Sequence, residues 1–300
     1  MYSKILVPLD GSNTSERVLP FARLLAATLN IPIELLEVVD ISAATAHIAA
    51  DKARYLDALI AEGEWASREH LTEVAARFPG IKVNRTVDRG KAADVIIERA
   101  AADKGTLIAM ATHGRSGINR WMLGSVAEKV LRGSSNPLFL VRANEEGIGE
   151  GEAMIKSIVV PLDGSSLAES VLPTVTEVAK TLDIEVVLCR AYELAASVYY
   201  GSEDYLPNYD EMLSRLKDEV EGYLAEQADA LKAAGLNKVS SVALEGSGAE
   251  EIINYARKHP DSLVAMCTHG RSGVSRWVLG SVTEKVVRYS GDPVLVVHAN

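Results

Sequence analysis

The sequence predicts an α/β protein made of two tandem domains, each with a doubly wound, five-stranded parallel sheet of Rossmann-like type. The first observation behind this prediction is an internal repeat. The segment at 110–130 (MATHGRSGINRWMLGSVAEKV) returns at 266–286 (MCTHGRSGVSRWVLGSVTEKV), with sixteen of twenty-one positions identical. The second is the alternation of short apolar runs with amphipathic stretches, which is typical of parallel strands joined by helices.

The repeat extends over the whole chain and sets the predicted domain boundaries. Three further pairs of segments recur in the same order: 4–12 (KILVPLDGS) with 156–165 (KSIVVPLDGS), 90–97 (GKAADVII) with 246–253 (GSGAEEII), and 136–141 (NPLFLV) with 292–297 (DPVLVV). The polar, glycine-containing stretch between the copies has little apolar content to pack. We therefore predict a first domain at 1–143, a linker at 144–153 and a second domain at 154–300.

Each element of the first copy follows from its pattern of apolar residues. Strands are predicted at Ile5–Leu9, Ile33–Val39, Ile81–Val87, Leu107–Ala111 and Leu138–Val141. Helices are predicted at Ser15–Leu29, Lys52–Phe78, Ala92–Ala102 and Ser125–Arg132. With right-handed crossovers the strands take the order 3-2-1-4-5, and ligands bind where the winding reverses, between the first and fourth strands. Pro8 and Pro161 cannot donate within a sheet, so each is expected to mark where strand pairing ends.

Composition limits the class of protein. The chain is 48% hydrophobic and 24% charged, and no run approaches the roughly 18 apolar residues of a membrane span. The first residues have no signal-peptide pattern, and the two cysteines, Cys189 and Cys267, are predicted to lie too far apart for a disulfide. We expect a cytoplasmic protein with no membrane partner. The net charge of −10 argues against a nucleic-acid partner.

The repeated segment has the pattern of a phosphate site. A buried strand, a glycine-rich loop and a helix start follow one another, and helix N-termini favour anions. The glycines concerned are Gly114, Gly117 and Gly124, with Gly270, Gly273 and Gly280 in the second copy. Glycines also serve ordinary turns, but two nearly identical loops favour the functional interpretation. Arg120 and Arg276 could reach phosphates or be solvated charges, and His113 and His269 suit a turn or a place near phosphate.

Two further pairs of residues admit both a structural and a functional interpretation. Ser125 and Ser281 each precede a glutamate by three residues (Glu128 and Glu284), which predicts a capping box, although the hydroxyl could also donate to phosphate. Asp10 and Asp163 follow the first strand of each copy, where they could bind a ribose hydroxyl, tie indirectly to a metal, or close an Asx turn. No cluster of metal ligands, Walker loop or hydrolase elbow is present in the sequence.

Together these motifs resemble the universal stress protein family. The resemblance rests on VPLDGS at the end of the first strand and on a segment of the G-x₂-G-x₉-G-[ST] type followed by a helix and an apolar strand after Asn/Asp-Pro, twice and in order. It implies the adenine nucleotide alpha hydrolase-like fold. It also implies adenine near Val38 or Ala191, ribose near Asp10 or Asp163, and phosphates at the loop and helix start. The site residues implied for the two copies are Pro8, Asp10, Val38, Met110, Ala111, Gly114, Arg120, Gly124, Ser125 and Val126, and Pro161, Asp163, Ala191, Met266, Cys267, Gly270, Arg276, Gly280, Ser281 and Val282.

One departure from the family pattern is expected to weaken nucleotide binding. The first glycine of the family segment is replaced by Ala111 in one copy and Cys267 in the other. A Cβ there is expected to crowd the ribose, more so for Cys, and to weaken binding in the second half. The resemblance also implies contact through the last strands (Leu138–Val141 with Val294–Val297) as an internal pseudo-dimer, with a homodimer as a further possibility.

The sequence thus predicts a stress-responsive protein that binds ATP, or AMP or ADP, together with Mg²⁺. No catalytic residue is assigned, and any hydrolysis is expected to be slow because no general base is placed for an attacking water. A nucleotide-free interaction scaffold is one alternative. A nucleotidyl transferase or ATP pyrophosphatase is another, against which the sequence lacks H-x-G-H and S-G-G-x-D-S.

Overall fold

The structure is a computed structural model that describes residues 2–40, 53–113, 123–142, 153–194, 209–268 and 279–298. The chain divides into two compact units, Met1–Met154 and Ile155–Asn300. The predicted linker at 144–153 lies almost entirely outside the described residues. Among the helices that are described, none has the length and apolar composition needed to cross a membrane.

Among the described residues of the first unit, five strands alternate with four α-helices. The elements are β1 (Lys4–Leu9), a 3₁₀ helix (Ser15–Val18), α1 (Leu19–Leu29), β2 (Ile33–Val39), α2 (Ala53–Ala75), β3 (Val83–Arg89), α3 (Ala92–Ala101), β4 (Thr106–Ala111), α4 (Ser125–Gly133) and β5 (Leu138–Val141). All pairings are parallel, and the strand order is β3-β2-β1-β4-β5. The predicted order 3-2-1-4-5 is therefore confirmed.

The second unit repeats this arrangement. Its elements are β6 (Ser157–Pro161), α5 (Ser166–Glu169), α6 (Leu172–Leu182), β7 (Glu185–Tyr192), α7 (Tyr209–Ala233), β8 (Val239–Glu245), α8 (Gly248–Lys258), β9 (Ser262–Cys267), α9 (Ser281–Tyr289) and β10 (Val294–Val297). The parallel strands follow the order β8-β7-β6-β9-β10. Cys189 and Cys267 are buried and unbridged, on strands separated by β6. The prediction that they do not pair is confirmed.

The central strands of each unit are buried along their length, which explains their continuous apolar sequences. Ile5, Leu6 and Val7 of β1 are fully buried, as are Ile158 and Val159 of β6. A strand covered by helices on both faces needs apolar side chains at successive positions rather than at alternate ones. The ends of these strands are therefore supported by a buried, apolar sheet.

Three predicted boundaries are wrong for local reasons. The helix predicted from Ser15 begins as a 3₁₀ turn, because Pro20 has no N–H to continue the α-helical ladder backwards. The strand predicted at Ile81–Val87 begins at Val83, because Ile81 donates its N–H to the Phe78 carbonyl in a turn through Gly80 (φ 79°). α2 ends at Ala75, before the predicted end, because Arg77 and Phe78 donate to carbonyls three residues back instead of four.

Candidate functional site

A crevice opens where β1 and β4 separate. Their pairing ends at Leu6 with Ile108, whereas β1 stays paired with β2 through Leu9. The prediction that pairing ends at Pro8 is therefore wrong, since pairing stops two residues earlier on the crevice side and continues past Pro8 on the β2 side. The same prediction is confirmed for Pro161, which is the last residue of β6 to pair with β7. In the second unit the pairing of β6 with β9 likewise ends at Val159. Each crevice lies at the carboxyl ends of the strands, where the winding reverses, which is the expected place for a ligand.

Asp10 closes a tight turn at the rim of the first crevice. Its Oδ1 accepts hydrogen bonds from the Ser12 N–H (3.0 Å) and the Ser12 hydroxyl (2.6 Å). Asp163 does the same with Ser165, at 2.9 Å and 2.6 Å. The Asx turn foreseen as the structural interpretation is thus present in both halves. The turn also fixes the position of each carboxylate. Both aspartates line a cavity.

The helix on the other side of each crevice begins differently from the prediction. Gly124 is the N-cap of α4, and no side chain makes a cap hydrogen bond there; the same holds for Gly280 and α9. The capping box predicted for Ser125 and Ser281 is therefore wrong. These serines are one position too far into the helix, where a side chain no longer faces the first turn's amides from outside.

The N-cap glycine allows a close contact with the fourth strand. Gly124 donates its N–H to the Thr112 carbonyl at 2.8 Å, and Gly280 makes the same bond to Thr268. A Cβ built on Gly124 would lie 3.0 Å from the Thr112 oxygen. The amides of the next three residues have no acceptor within the helix, because an α-helix leaves its first N–H groups unpaired. These amides supply donors for an anion at the crevice.

The glutamates of the expected capping boxes serve another purpose. Glu128 pairs with Arg132 one turn later at 3.3 Å, and Glu284 pairs with Arg288 at 2.9 Å. Each glutamate lies in the first turn of its helix, the end that favours anions. The arginine balances the negative charge of that carboxylate.

The first crevice holds a cavity of about 220 Å³. Seven of the ten site residues implied for the first copy line it: Pro8, Asp10, Val38, Ala111, Gly124, Ser125 and Val126. Met110 is buried and does not line it, and Gly114 and Arg120 lie outside the described residues. His113 also lines the cavity, as its proposed place near phosphate requires.

The second crevice holds a larger cavity of about 450 Å³. Eight of its ten implied residues line it: Pro161, Asp163, Ala191, Met266, Cys267, Gly280, Ser281 and Val282. Gly270 and Arg276 lie outside the described residues, as does His269. Arg190 joins the lining, together with Leu216 and Val220 of α7.

Sequence reasoning missed part of each wall. Ala92 and Ile96 of α3 line the first cavity, and Gly248 and Ile252 of α8 line the second. A signal for them existed, because they fall in the repeated segments at 90–97 and 246–253. No comparable signal marked Leu216 or Val220, since α7 approaches β7 only in the folded chain. Within the part of the chain that the structure describes, no group of three or more His, Cys, Asp or Glu side chains is placed to hold a metal ion.

Comparison with known proteins identifies the family. The model of the universal stress protein family matches residues 1–142 and again residues 154–298. The chain belongs to this family. A universal stress protein of Methanocaldococcus jannaschii is 32% identical over 150 residues, which is 50% of this chain and 86% of that protein. One of Mycobacterium tuberculosis is 22% identical over 302 residues, covering 97% of this chain and 96% of the relative.

A solved universal stress protein of Archaeoglobus fulgidus supports the fold over the full length. It covers 99% of this chain and 98% of its own, with a TM-score of 0.73 and 23% identity. The tandem arrangement of two universal stress protein domains therefore describes the whole chain, and each domain brings its own crevice.

Proposed function

We propose that this tandem universal stress protein binds one adenine nucleotide, ATP with Mg²⁺, in each half and acts as a stress-responsive sensor in the cytoplasm. The observation that carries the proposal is the first cavity, in which a carboxylate held in one orientation lies opposite the N-cap glycine and the start of a helix. Asp10 stands on one side, and the amides of Ser125, Val126 and Ala127 begin α4 on the other. The free amides at the start of a helix suit the phosphates of a nucleotide.

The cavity walls have the chemistry that the remaining parts of the nucleotide need. Leu36, Val38 and Ile96 provide an apolar surface at the end of β2 for the adenine ring. Asp10 is held in one orientation by Ser12, so its carboxylate is preorganised to accept from a ribose hydroxyl. The phosphates would lie at the start of α4, and Mg²⁺ would neutralise them there. The second cavity offers the corresponding set around Asp163, Ala191 and Gly280.

The proposal is for binding, with at most slow hydrolysis. Asp10 is the acidic side chain among the described residues of the first cavity. Its Oδ1 already accepts two hydrogen bonds from Ser12. An oxygen that already accepts two hydrogen bonds is poorly placed to take a proton from an attacking water as well.

Mass spectrometry of the purified protein, native and then denatured, identifies any bound nucleotide and counts its copies. Calorimetry with ATP and Mg²⁺ then tests the emptied protein. We expect two nucleotides per chain, one after Gly124→Asp or Gly280→Asp, and none after both. Aspartate is a favoured N-cap residue, but a Cβ at Gly124 lies 3.0 Å from the Thr112 oxygen, so circular dichroism checks that each variant folds. The added negative charge then excludes phosphate from the start of the helix.

Gly222→Asp is the matched control, because a Cβ there has no neighbour within 4 Å and the residue lines neither cavity. This control should still bind two nucleotides. No nucleotide on the purified protein and no heat with ATP would refute the proposal and leave the nucleotide-free scaffold.

A further inference from the structure

Behind the wall of the first cavity, one histidine joins two carboxylates. His70 of α2 contacts Glu16 of the 3₁₀ helix through Nε2, at 2.9 Å from Oε1, and Glu37 of β2 through Nδ1. Glu37 is only 6% exposed, and the histidine side chain is 21% exposed. The cluster is therefore largely shielded from water, where a charge needs a partner.

Both contacts are satisfied together only when the imidazole is protonated. An ionised carboxylate only accepts, and a neutral imidazole has one N–H, whereas the imidazolium donates from both nitrogens. Burial acts to lower the pKa of His70. The hydrogen bonds and negative charges of Glu16 and Glu37 outweigh it and raise that pKa above 6.5.

The charges around the cluster come from three directions. Glu37 faces His70 from β2, and Glu16 faces it from the 3₁₀ helix. Two residues beyond the end of α2, Arg77 donates to the other oxygen of Glu16 at 2.5 Å. Arg85 of β3 donates instead to the Thr72 hydroxyl at 2.7 Å. Among the described residues, the two glutamates thus dominate the field at the imidazole.

The cluster holds two pieces of the cavity wall together. Ser15, next to Glu16, lines the first cavity, and so do Leu36 and Val38 on either side of Glu37. When His70 loses its proton, one of the two carboxylates loses its donor and faces a ring lone pair. The tie between the 3₁₀ helix and the end of β2 then loosens, and the cavity loses its preorganised shape.

The second half has a corresponding set of contacts that contains no histidine. Glu169, Arg190 and Tyr223 each stand 153 positions after Glu16, Glu37 and His70. The Tyr223 hydroxyl donates to Glu169 at 2.8 Å, and the Arg190 guanidinium lies 5.0 Å from the centre of the Tyr223 ring. Burial and the Glu169 hydrogen bond raise the pKa of Tyr223, which keeps its hydroxyl protonated.

We propose that His70 is a positioning residue for the first nucleotide site, whose protonation makes binding in the first half pH-dependent while binding in the second half is not. The inference rests on the proposed nucleotide binding. Raising the pH from 6.5 to 8.5 weakens the first site by about fivefold relative to the second, at the lower end of couplings between linked sites.

Calorimetric titration with ATP and Mg²⁺ at pH 6.5, 7.5 and 8.5 tests this. Gly280→Asp isolates the first site and Gly124→Asp isolates the second. Protonation of ATP itself affects both sites alike, so the ratio of the two affinities reports the protein. The expected ratio changes about fivefold across this range. Adding His70→Tyr with Glu37→Arg gives the first half the second half's set of residues, and the ratio should then stay constant.

Equal pH dependence at the two sites would overturn the inference and leave nucleotide binding intact. A pH dependence that persists in the His70→Tyr, Glu37→Arg variant would overturn it as well. NMR of labelled histidine in the ligand-free chain gives a second readout, in which His70 should titrate above 6.5 and the signal should vanish in that variant. Absence of binding at every pH in both isolated sites would overturn the proposed function itself, and this inference with it.

Discussion

Replacing Asp292 with asparagine should stabilise the second domain, and more so at high pH. In the first domain the counterpart is Asn136, which is 2% exposed and donates from Nδ2 to the carbonyls of Asp103 (3.0 Å) and Thr106 (3.1 Å). Asp292 stands in the same turn before a proline, where an ionised carboxylate has no hydrogen to donate. Burial, aided by the charge of Asp261, raises the pKa of Asp292 to about 7, although Arg257 opposes the shift.

The size and sign of the effect follow from this raised pKa. The folded domain holds the proton more tightly than the unfolded chain, so the associated stability is complete below the unfolded pKa of 3.8 and is lost as the pH rises through about 7. A shift of about three units corresponds to about 4 kcal/mol. Because the side chain is partly open to solvent, screening reduces this to about 2 kcal/mol. We therefore expect Asp292→Asn to gain about 2 kcal/mol at pH 8 and little at pH 4.

Urea denaturation at pH 4 and pH 8, followed by circular dichroism and compared between wild type and Asp292→Asn, measures this difference. Comparing variants at each pH cancels the titration of all other groups. The reciprocal change, Asn136→Asp, is the matched control and should destabilise the first domain, with a loss that grows as the pH rises. An equal gain from Asp292→Asn at both pH values would refute the reasoning, since an uncharged effect does not titrate.

Two further predictions concern stability. Ser165→Ala should lower the free energy of unfolding by about 1 kcal/mol, because the Ser165 hydroxyl caps α5 by accepting from the Ala168 N–H. Ser125→Ala should change that free energy by less than about 0.5 kcal/mol and lower only nucleotide affinity. Equal losses for the two variants in urea denaturation would restore the capping box. Phe139→Ala should cost about 3–5 kcal/mol, because this ring is 1% exposed and packs 5.7 Å from the Phe21 ring; a loss below about 1 kcal/mol in thermal unfolding would show that the core refills the space.

The fold could be predicted because local and global signals agree. The duplicated sequence fixes the element order, and buried parallel strands need continuous apolar runs such as Ile5–Leu9. Boundaries failed where one residue changes the backbone. The missing N–H of Pro20 converts a helical turn to 3₁₀, and the positive φ of Gly80 delays β3.

The residues that border the candidate site could be predicted from the sequence, but those that support the cavity wall from behind could not. Asp10 and Gly124 stand beside recognisable turns and loops, so the sequence alone points to them. The contacts of His70 depend on how α2 rotates as it packs on β2, which places Glu16, 54 positions earlier, against its Nε2. An amphipathic pattern states which face of a helix is buried but not which polar side chain will meet it. Pairs of this kind become visible only in the folded chain.

The two halves therefore differ more in the residues behind the cavity wall than in the N-cap glycine that borders the cavity. The sequence predicts weaker binding in the second half because Cys267 adds a thiol near the ribose. In the structure that thiol lies 3.3 Å from the Ser170 hydroxyl, and the second cavity is nevertheless the larger of the two. Crowding at Cys267 must then act locally rather than by closing the cavity. A difference in affinity between the halves that vanishes at low pH would point to His70, whereas one that persists at every pH and is removed by Cys267→Ala would point to the thiol.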